Sequence, residues 1–373
     1  MKFKFKPHII DTTLPDGLYG QTAAADLDGD GNLEFITGQR YGDIFCYKYE
    51  SPEKWSRFLI GEDSPSDVGG CVLDVNNNGL NDYIAGGAWY KNNGNISKPF
   101  KRFVFDEDLT GVHDITAADI NNDGEKEIIT MSDKNSLRWY KISDNPESKW
   151  EHTEIGPAVH AGVSIGDIDG DGDLDVVRTN VWFENVKGDG SEWKVHHIGP
   201  NTPPPSDFNP TFSYYATESY VCDMSGNGKT NDIVFTDAEI PGGKIWWMEN
   251  LDGSGTKWKK HMVFEKSEHR RGAYHSLYVG DLDNDGDLDI LSCEMEGVPG
   301  EKPPRWYIWE NLDGKGKEWK EHVILDENLG GHEIVAADFT GNGRLDIIGK
   351  PWNARENNAV EGKTFVVFLE NVM

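Results

Sequence analysis

Four histidines hold a fixed place in this chain. His113, His275 and His332 each stand six residues before an aspartate that opens an acidic loop, and His160 stands seven before one. A neutral imidazole can ligate zinc or manganese, serve as a base near neutral pH, or simply hydrogen-bond between neighbouring elements. The loops they precede carry a second chemistry. In Asp167-Ile168-Asp169-Gly170-Asp171-Gly172-Asp173-Leu174-Asp175, carboxylates stand at positions one, three, five and nine and a glycine at six. A tight turn of this composition gathers oxygen ligands round a calcium ion, the glycine permitting the turn.

Relatives of that loop begin at Asp26, Asp74, Asp119, Asp223, Asp281 and Asp338, making seven in all. Loops one, four and six have the full set: Asp26, Asp28, Asp30, Glu34; Asp167, Asp169, Asp171, Asp175; and Asp281, Asp283, Asp285, Asp289. Loop three follows closely with Asp119, Asn121, Asp123 and Glu127. Loops two and seven use weaker amide or hydroxyl ligands, in Asp74, Asn76, Asn78, Asp82 and in Asp338, Thr340, Asn342, Asp346. Loop five departs most, with Ser225 at position three, Asn231 at position nine and Asp232 displaced by one, and is the least suited to an ion. Carboxylates converging without a cation would repel one another, so several structural calcium ions are expected, pinning turns rather than touching substrate.

The elements that position both sets recur with the loops. Intervals between loop-opening aspartates are 48, 45, 48, 56, 58 and 57 residues, the length of a four-stranded blade. A short apolar run precedes each loop, as in residues 115–118, and another follows it, as in residues 127–130. The third strand is aromatic, as in Trp89-Tyr90, Trp139-Tyr140, Val181-Trp182-Phe183 and Ile245-Trp246-Trp247. Then comes a turn such as Glu249-Asn250-Leu251-Asp252-Gly253 and an alternating fourth strand such as Trp258-Lys259-Lys260-His261-Met262-Val263. The last repeat stops after its third strand, and residues 4–11 resemble the missing fourth. The reading is all-β: one seven-bladed β-propeller domain over residues 1–373, its four-stranded antiparallel blades closed by residues 2–11 completing the blade of 330–373.

If each acidic loop joins the innermost strand to the second, all seven lie on one face and the histidines stand at the opposite, upper mouth, on blades three, four, six and seven. The long connections also reach that face, at 200–215, 266–274, 294–304 and 350–363. Second strands end there at Arg40, Arg178, Asp237, Glu239, Glu294 and Lys350, close to Tyr214, Tyr215, Arg270 and Arg271. A sugar-binding pocket is expected from this set. Its candidate catalytic residues are the four histidines with Tyr214, Tyr215 and Arg271; its candidate substrate contacts are Arg178, Arg270, Glu294, Lys350 and Trp352. Trp352 lies outside the repeating aromatic pattern and is the candidate for stacking, whereas Trp89, Trp139, Trp182 and Trp247 recur at matching positions and are expected to pack blade on blade. β-Elimination needs a base beside a carbonyl or carboxylate, a cation for the enolate and an acid for the leaving oxygen, roles that His, Tyr, Arg or a metal fill.

Composition narrows the partners. A formal charge of -29 and a pI near 4.6 exclude nucleic acid and anionic membrane. No apolar run approaches the ~20 residues that span a bilayer, and the first residues do not continue into a signal-peptide core, so a soluble, unexported chain is expected, although a chain stripped of its leader would look the same. Cys46, Cys71, Cys222 and Cys293 lie in strand-like runs without metal spacing and read as buried free thiols.

The Asp-x-Asp-x-Asp-Gly-x-x-Asp core between apolar strands resembles the FG-GAP or VCBS-type repeats of calcium-bearing β-propellers. That family includes integrin heads, fungal lectins, rhamnogalacturonan lyases and the propeller part of aldos-2-ulose dehydratase. The resemblance implies a carbohydrate-active lyase or dehydratase, or alternatively a non-catalytic sugar- or protein-binding module.

Overall fold

Short apolar runs separated by Asn-, Asp- and Gly-rich turns make strands throughout. The computed structural model describes residues 2–158, 160–198, 217–239, 242–264, 271–296 and 303–373. These form seven four-stranded antiparallel sheets arranged as the blades of a propeller. Blade one is Tyr19–Ala25, Glu34–Gln39, Ile44–Ser51 and Lys54–Gly61, paired in chain order, and blades two to six repeat the plan. The inner strand of blade one lies against those of blades two and seven, which closes the ring at its axis. Blade seven takes Glu333–Ala337, Asp346–Lys350 and Val366–Asn371 from the end of the chain and Phe5–Asp11 from its start. Phe5 pairs with Asn371 and His8 with Phe368. The ladder begins at Phe5; upstream of it Phe3 packs among Leu282, Trp306 and Leu325 of blade six.

Second strands such as Glu127–Ser132 are buried along their whole length, which is why they read as near-continuous apolar runs. Core clusters lie between adjacent blades, for example Leu291, Trp306 and Ile308 of blade six on Ile347, Val367 and Leu369 of blade seven. The recurring tryptophans join blades. Trp139, Trp182 and Trp247 donate their indole N–H to the carbonyls of Gly190, Gly255 and Gly316 in the next blade, at 3.0, 3.3 and 2.7 Å. The same carbonyls accept a second indole from Trp193, Trp258 and Trp319 of their own blade, at 2.9, 2.8 and 2.8 Å. Trp89 likewise donates to Pro146, at 3.0 Å.

Every acidic loop joins an inner strand to a second strand, so all seven share one face and the starts of the inner strands face the other. All four cysteines are free; Cys46, Cys222 and Cys293 are buried and Cys71 is half-buried. No helix among the described residues is long and apolar enough to cross a membrane.

Candidate functional site at the channel mouth

The four histidines converge. His113 opens the inner strand of blade three and His275 that of blade six; His160 and His332 lie just before those of blades four and seven. Ring centroids are 4.3 Å apart for His113 and His160, 5.9 Å for His113 and His275, and 3.9 Å for His275 and His332, with Trp352 5.0 Å beyond His332. They line a cavity of about 210 Å³ with Arg40, Asp67, Asp133, Glu239, Glu296 and Arg355. Each imidazole has an acidic neighbour. His160 Nδ1 is 2.6 Å from Asp133 and its Nε2 3.2 Å from Glu239. His275 Nδ1 lies 2.9 Å from Glu333, His332 Nδ1 3.3 Å from Glu296, and His113 Nδ1 3.5 Å from Asp114. Ligand atoms of His275, His332 and Glu333 all lie within 4.8 Å of one another, a two-imidazole, one-carboxylate set.

These surroundings drive the imidazoles apart in acidity. Burial opposes charge on His160, but the hydrogen bonds to Asp133 and Glu239 outweigh it and raise its pKa to about 10. His275 is also raised, its burial overcome by Glu333. His332 goes the other way, lowered to about 4 by burial and by the charge of His275. Within the channel Glu218 is held protonated well above the usual carboxylate range by burial and by the charges of Asp114, Glu333 and Glu239.

On the opposite face the acidic loops follow one geometry. The position-one aspartate caps the turn: Gly29 and Gly31 donate to Asp26 at 2.7 and 2.9 Å, and Gly170 and Gly172 to Asp167 at 2.7 and 3.1 Å. Positions four and six take positive φ, as in Gly170 (80°) and Gly172 (98°), with asparagine at four in loops two, three and six. The position-nine carboxylate is a hinge pin: Asp175 accepts from Ile168 N and Asn185 N, both at 2.9 Å. Asp232 of loop five makes the same two contacts, with Ser225 N and Asn250 N at 2.9 Å each, so the extra residue is absorbed within the turn. Three loops bring oxygens of three carboxylates within 4.8 Å: Asp26, Asp28, Glu34; Asp167, Asp169, Asp175; and Asp281, Asp283, Asp285. This donor set suits a calcium ion, and Asp28 Oδ1, Glu34 Oε1 and Asp283 Oδ1 are buried without a hydrogen-bond partner. In loops two and three the amides of Asn76 and Asn121 instead donate to Asp82 (3.4 Å) and Glu127 (2.7 Å), supplying part of what a cation would.

A family model described as FG-GAP-like repeat matches residues 119–177 and 223–292. Those two stretches carry FG-GAP-like repeats. No curated protein sequence matches it. Among solved structures, BBS1N in complex with ARL6DN superposes with a TM-score of 0.54 at 9% identity over 99% of this chain and 97% of that one. The WD40 beta propeller domain of Doa1 gives 0.54 at 11% identity, over 97% and 96%, and rhamnogalacturonan lyase YesW 0.48 at 12%, over 98% and 75%. At such identities the likeness is one of fold alone.

The propeller sorts the other expected site residues. Trp352 enters the pocket, with the Arg40 guanidinium 5.9 Å from its ring. Arg271, Glu294, Lys350 and Arg178 do not line it. Glu294 is buried on Arg271 (2.9 Å), Gly272 N (3.0 Å), Arg305 N (2.9 Å) and Tyr307 (3.2 Å), so both ends of that ion pair serve packing beneath the rim. Lys350 is fully buried and donates to the carbonyls of Tyr19 and Gly20, its pKa lowered by burial to about 8. Arg178 is buried with its guanidinium 5.6 Å from the Phe183 ring. Tyr214, Tyr215 and Arg270 lie outside the described residues. Asp67, Asp133, Glu296, Glu333 and Arg355 are site residues that sequence reading missed. The His332-Glu333 and His113-Asp114 neighbours were a readable signal for one of them; Asp133 and Glu296 follow second strands at unequal offsets, which hides the repeat.

Proposed function

We propose that this propeller is a carbohydrate-active enzyme, a lyase or dehydratase acting by β-elimination on a sugar held at the channel mouth, with structural calcium in repeat loops on the far face. The observation that carries the reading is the gathering of four imidazoles from four blades, flanked by carboxylates, in one cavity of about 210 Å³. A purely structural histidine at a repeat position would sit between its own blade and the next; these line a shared opening.

Acidity, proximity and ligand geometry assign roles. His160, kept charged by Asp133 and Glu239, is the acid that protonates the leaving oxygen. His113, beside it, is the base that takes the proton next to the carbonyl or carboxylate. His275, His332 and Glu333 are the residues that would hold zinc or manganese; such an ion supplies Lewis-acid stabilisation to an enolate oxygen. The lowered pKa of His332 keeps it in the neutral form that ligation requires, whereas an ion would have to displace the proton that Glu333 favours on His275. Trp352 offers a face for the sugar ring and Arg40 and Arg355 offer donors to its oxygens. A sugar- or protein-binding module would instead repeat equivalent shallow pockets between blades. Two outer grooves among the described residues, about 610 Å³ between loops two and three and about 510 Å³ beside Ile9, Trp55 and Arg57, are built from different repeat positions.

The test is an ultraviolet assay for unsaturated products on a panel of poly- and oligosaccharides, with purified protein of measured metal content. Turnover that falls about 10²- to 10⁴-fold in His113→Ala and His160→Ala supports the reading. Sugar binding without turnover would convert it to the binding module.

A further inference from the structure

The turn from second to third strand of blade one holds a tyrosine in a conformation that bulky side chains avoid. Tyr41 has φ of 52°, in the left-handed region, and is 48% exposed. The same turn of blade two uses Gly86, with φ of 58°, where the conformation costs nothing. Strain of this kind persists where the surroundings over-determine it. Here two backbone hydrogen bonds clamp the turn to the next connection, Tyr41 N to Ser66 O at 2.9 Å and Ser64 N to Gly42 O at 2.8 Å. Neither uses the phenol ring. Burial does not hold the ring in place either, since nearly half of the residue stays in solvent.

Beside that ring lies the channel mouth. The Arg40 guanidinium is 5.2 Å from the Tyr41 ring and 5.9 Å from that of Trp352. Asp67 fixes the guanidinium through a fork, Nε to Oδ1 at 2.6 Å and Nη2 to Oδ2 at 2.8 Å. Arg40, Trp352 and His332 line the cavity, and Tyr41 stands outside it. With the 5.0 Å step from Trp352 to His332, these groups make a run of flat surfaces from an exposed ring into the pit. The pit holds about 210 Å³. That is below the roughly 300–1,000 Å³ of sites enclosing a drug-sized ligand, and it suits a single sugar ring. Any further unit must leave over the rim. We propose that Tyr41 is the platform of a second sugar subsite: the ligand is a saccharide of two or more units, one in the cavity and the next stacked on the Tyr41 ring, with Arg40 donating to oxygens between them. The proposal deepens the sugar reading of the mouth and rests on it. A ring held in solvent by a clamped turn is pre-organised for such a ligand.

The experiment takes the full-length protein to an array of defined neutral and acidic oligosaccharides. It then compares one- to four-unit members of the captured series, by calorimetry or, where the ligand is turned over, by kcat/KM. Wild type should favour the two-unit over the one-unit member by about tenfold. That gain should fall to about twofold or less in Tyr41→Ala and persist in Tyr41→Phe. Tyr41→Gly should lose the gain and yet raise the urea midpoint, because the strain goes with the ring. Tyr41 is exposed, so these variants leave the core packing intact. Equal preference for one and two units in wild type, an unchanged gain in Tyr41→Ala, or a lowered midpoint in Tyr41→Gly would overturn the subsite and leave the sugar reading of the cavity standing. An array that captures no saccharide would overturn both.

Discussion

His160 shows how position alone tunes an imidazole. Its two carboxylate partners, Asp133 from blade three and Glu239 from blade five, raise its pKa to about 10 from an ordinary value near 6.5. A group raised on folding stabilises the folded state fully below its unfolded pKa, and that contribution fades as pH rises through the folded one. Stability measured by urea unfolding should therefore decline between about pH 6.5 and 10, and Glu239→Gln should lower the His160 pKa, seen by NMR titration, and cost about 1–3 kcal/mol at pH 7. An unmoved His160 titration in that variant would remove it as the proposed acid. The histidines were legible because each keeps a fixed offset from a loop. Of their carboxylates, Glu239 was placed at the mouth by its position, but Asp133 and Glu296 were not legible, since they come from the irregular connections after second strands, and Arg271 and Glu294, rim residues by position, find each other below the surface.

At the scale of elements, stability is carried by contacts that the repeat copies. Gly255 has φ of 65°, and a Cβ there would stand 2.6 Å from the Trp182 ring. Gly255→Ala should destabilise the protein by about 1–3 kcal/mol, through left-handed strain and overpacking together. Gly362 has φ of 76° with nothing within 4 Å, so Gly362→Ala should cost only about 1 kcal/mol. Urea midpoints of the two variants check the difference. The closing strand is a second such element: removal of residues 2–11 uncovers the edge of Val366–Asn371, and light scattering should then report association of the truncated protein. Blade length, the aromatic third strand and the borrowed fourth strand were readable from spacing and alternation. The twin-indole clamp on each turn glycine was not, because it joins residues 51 to 73 positions apart in the chain.

The whole molecule carries a formal charge of -29, and its acidic loops share one face of the ring. Self-repulsion on that face favours cation uptake by the folded state, so chelation should lower the melting midpoint and added calcium restore it. A site at a hundredfold excess of ligand over Kd contributes about 2.7 kcal/mol, which is a shift of several degrees by calorimetry. The mouth lies on the other face, and its chemistry should survive chelation that spares a transition metal.

The central claim is that the imidazoles of blades three, four, six and seven form one reactive centre, separate from the loop ions. An anomalous-scattering map of the purified protein tests it most directly. The account predicts a transition-metal peak bounded by His275, His332 and Glu333, with any calcium confined to the opposite face. A mouth empty of metal even after zinc or manganese soaking, with His275 and His332 holding only their carboxylate partners, would contradict it.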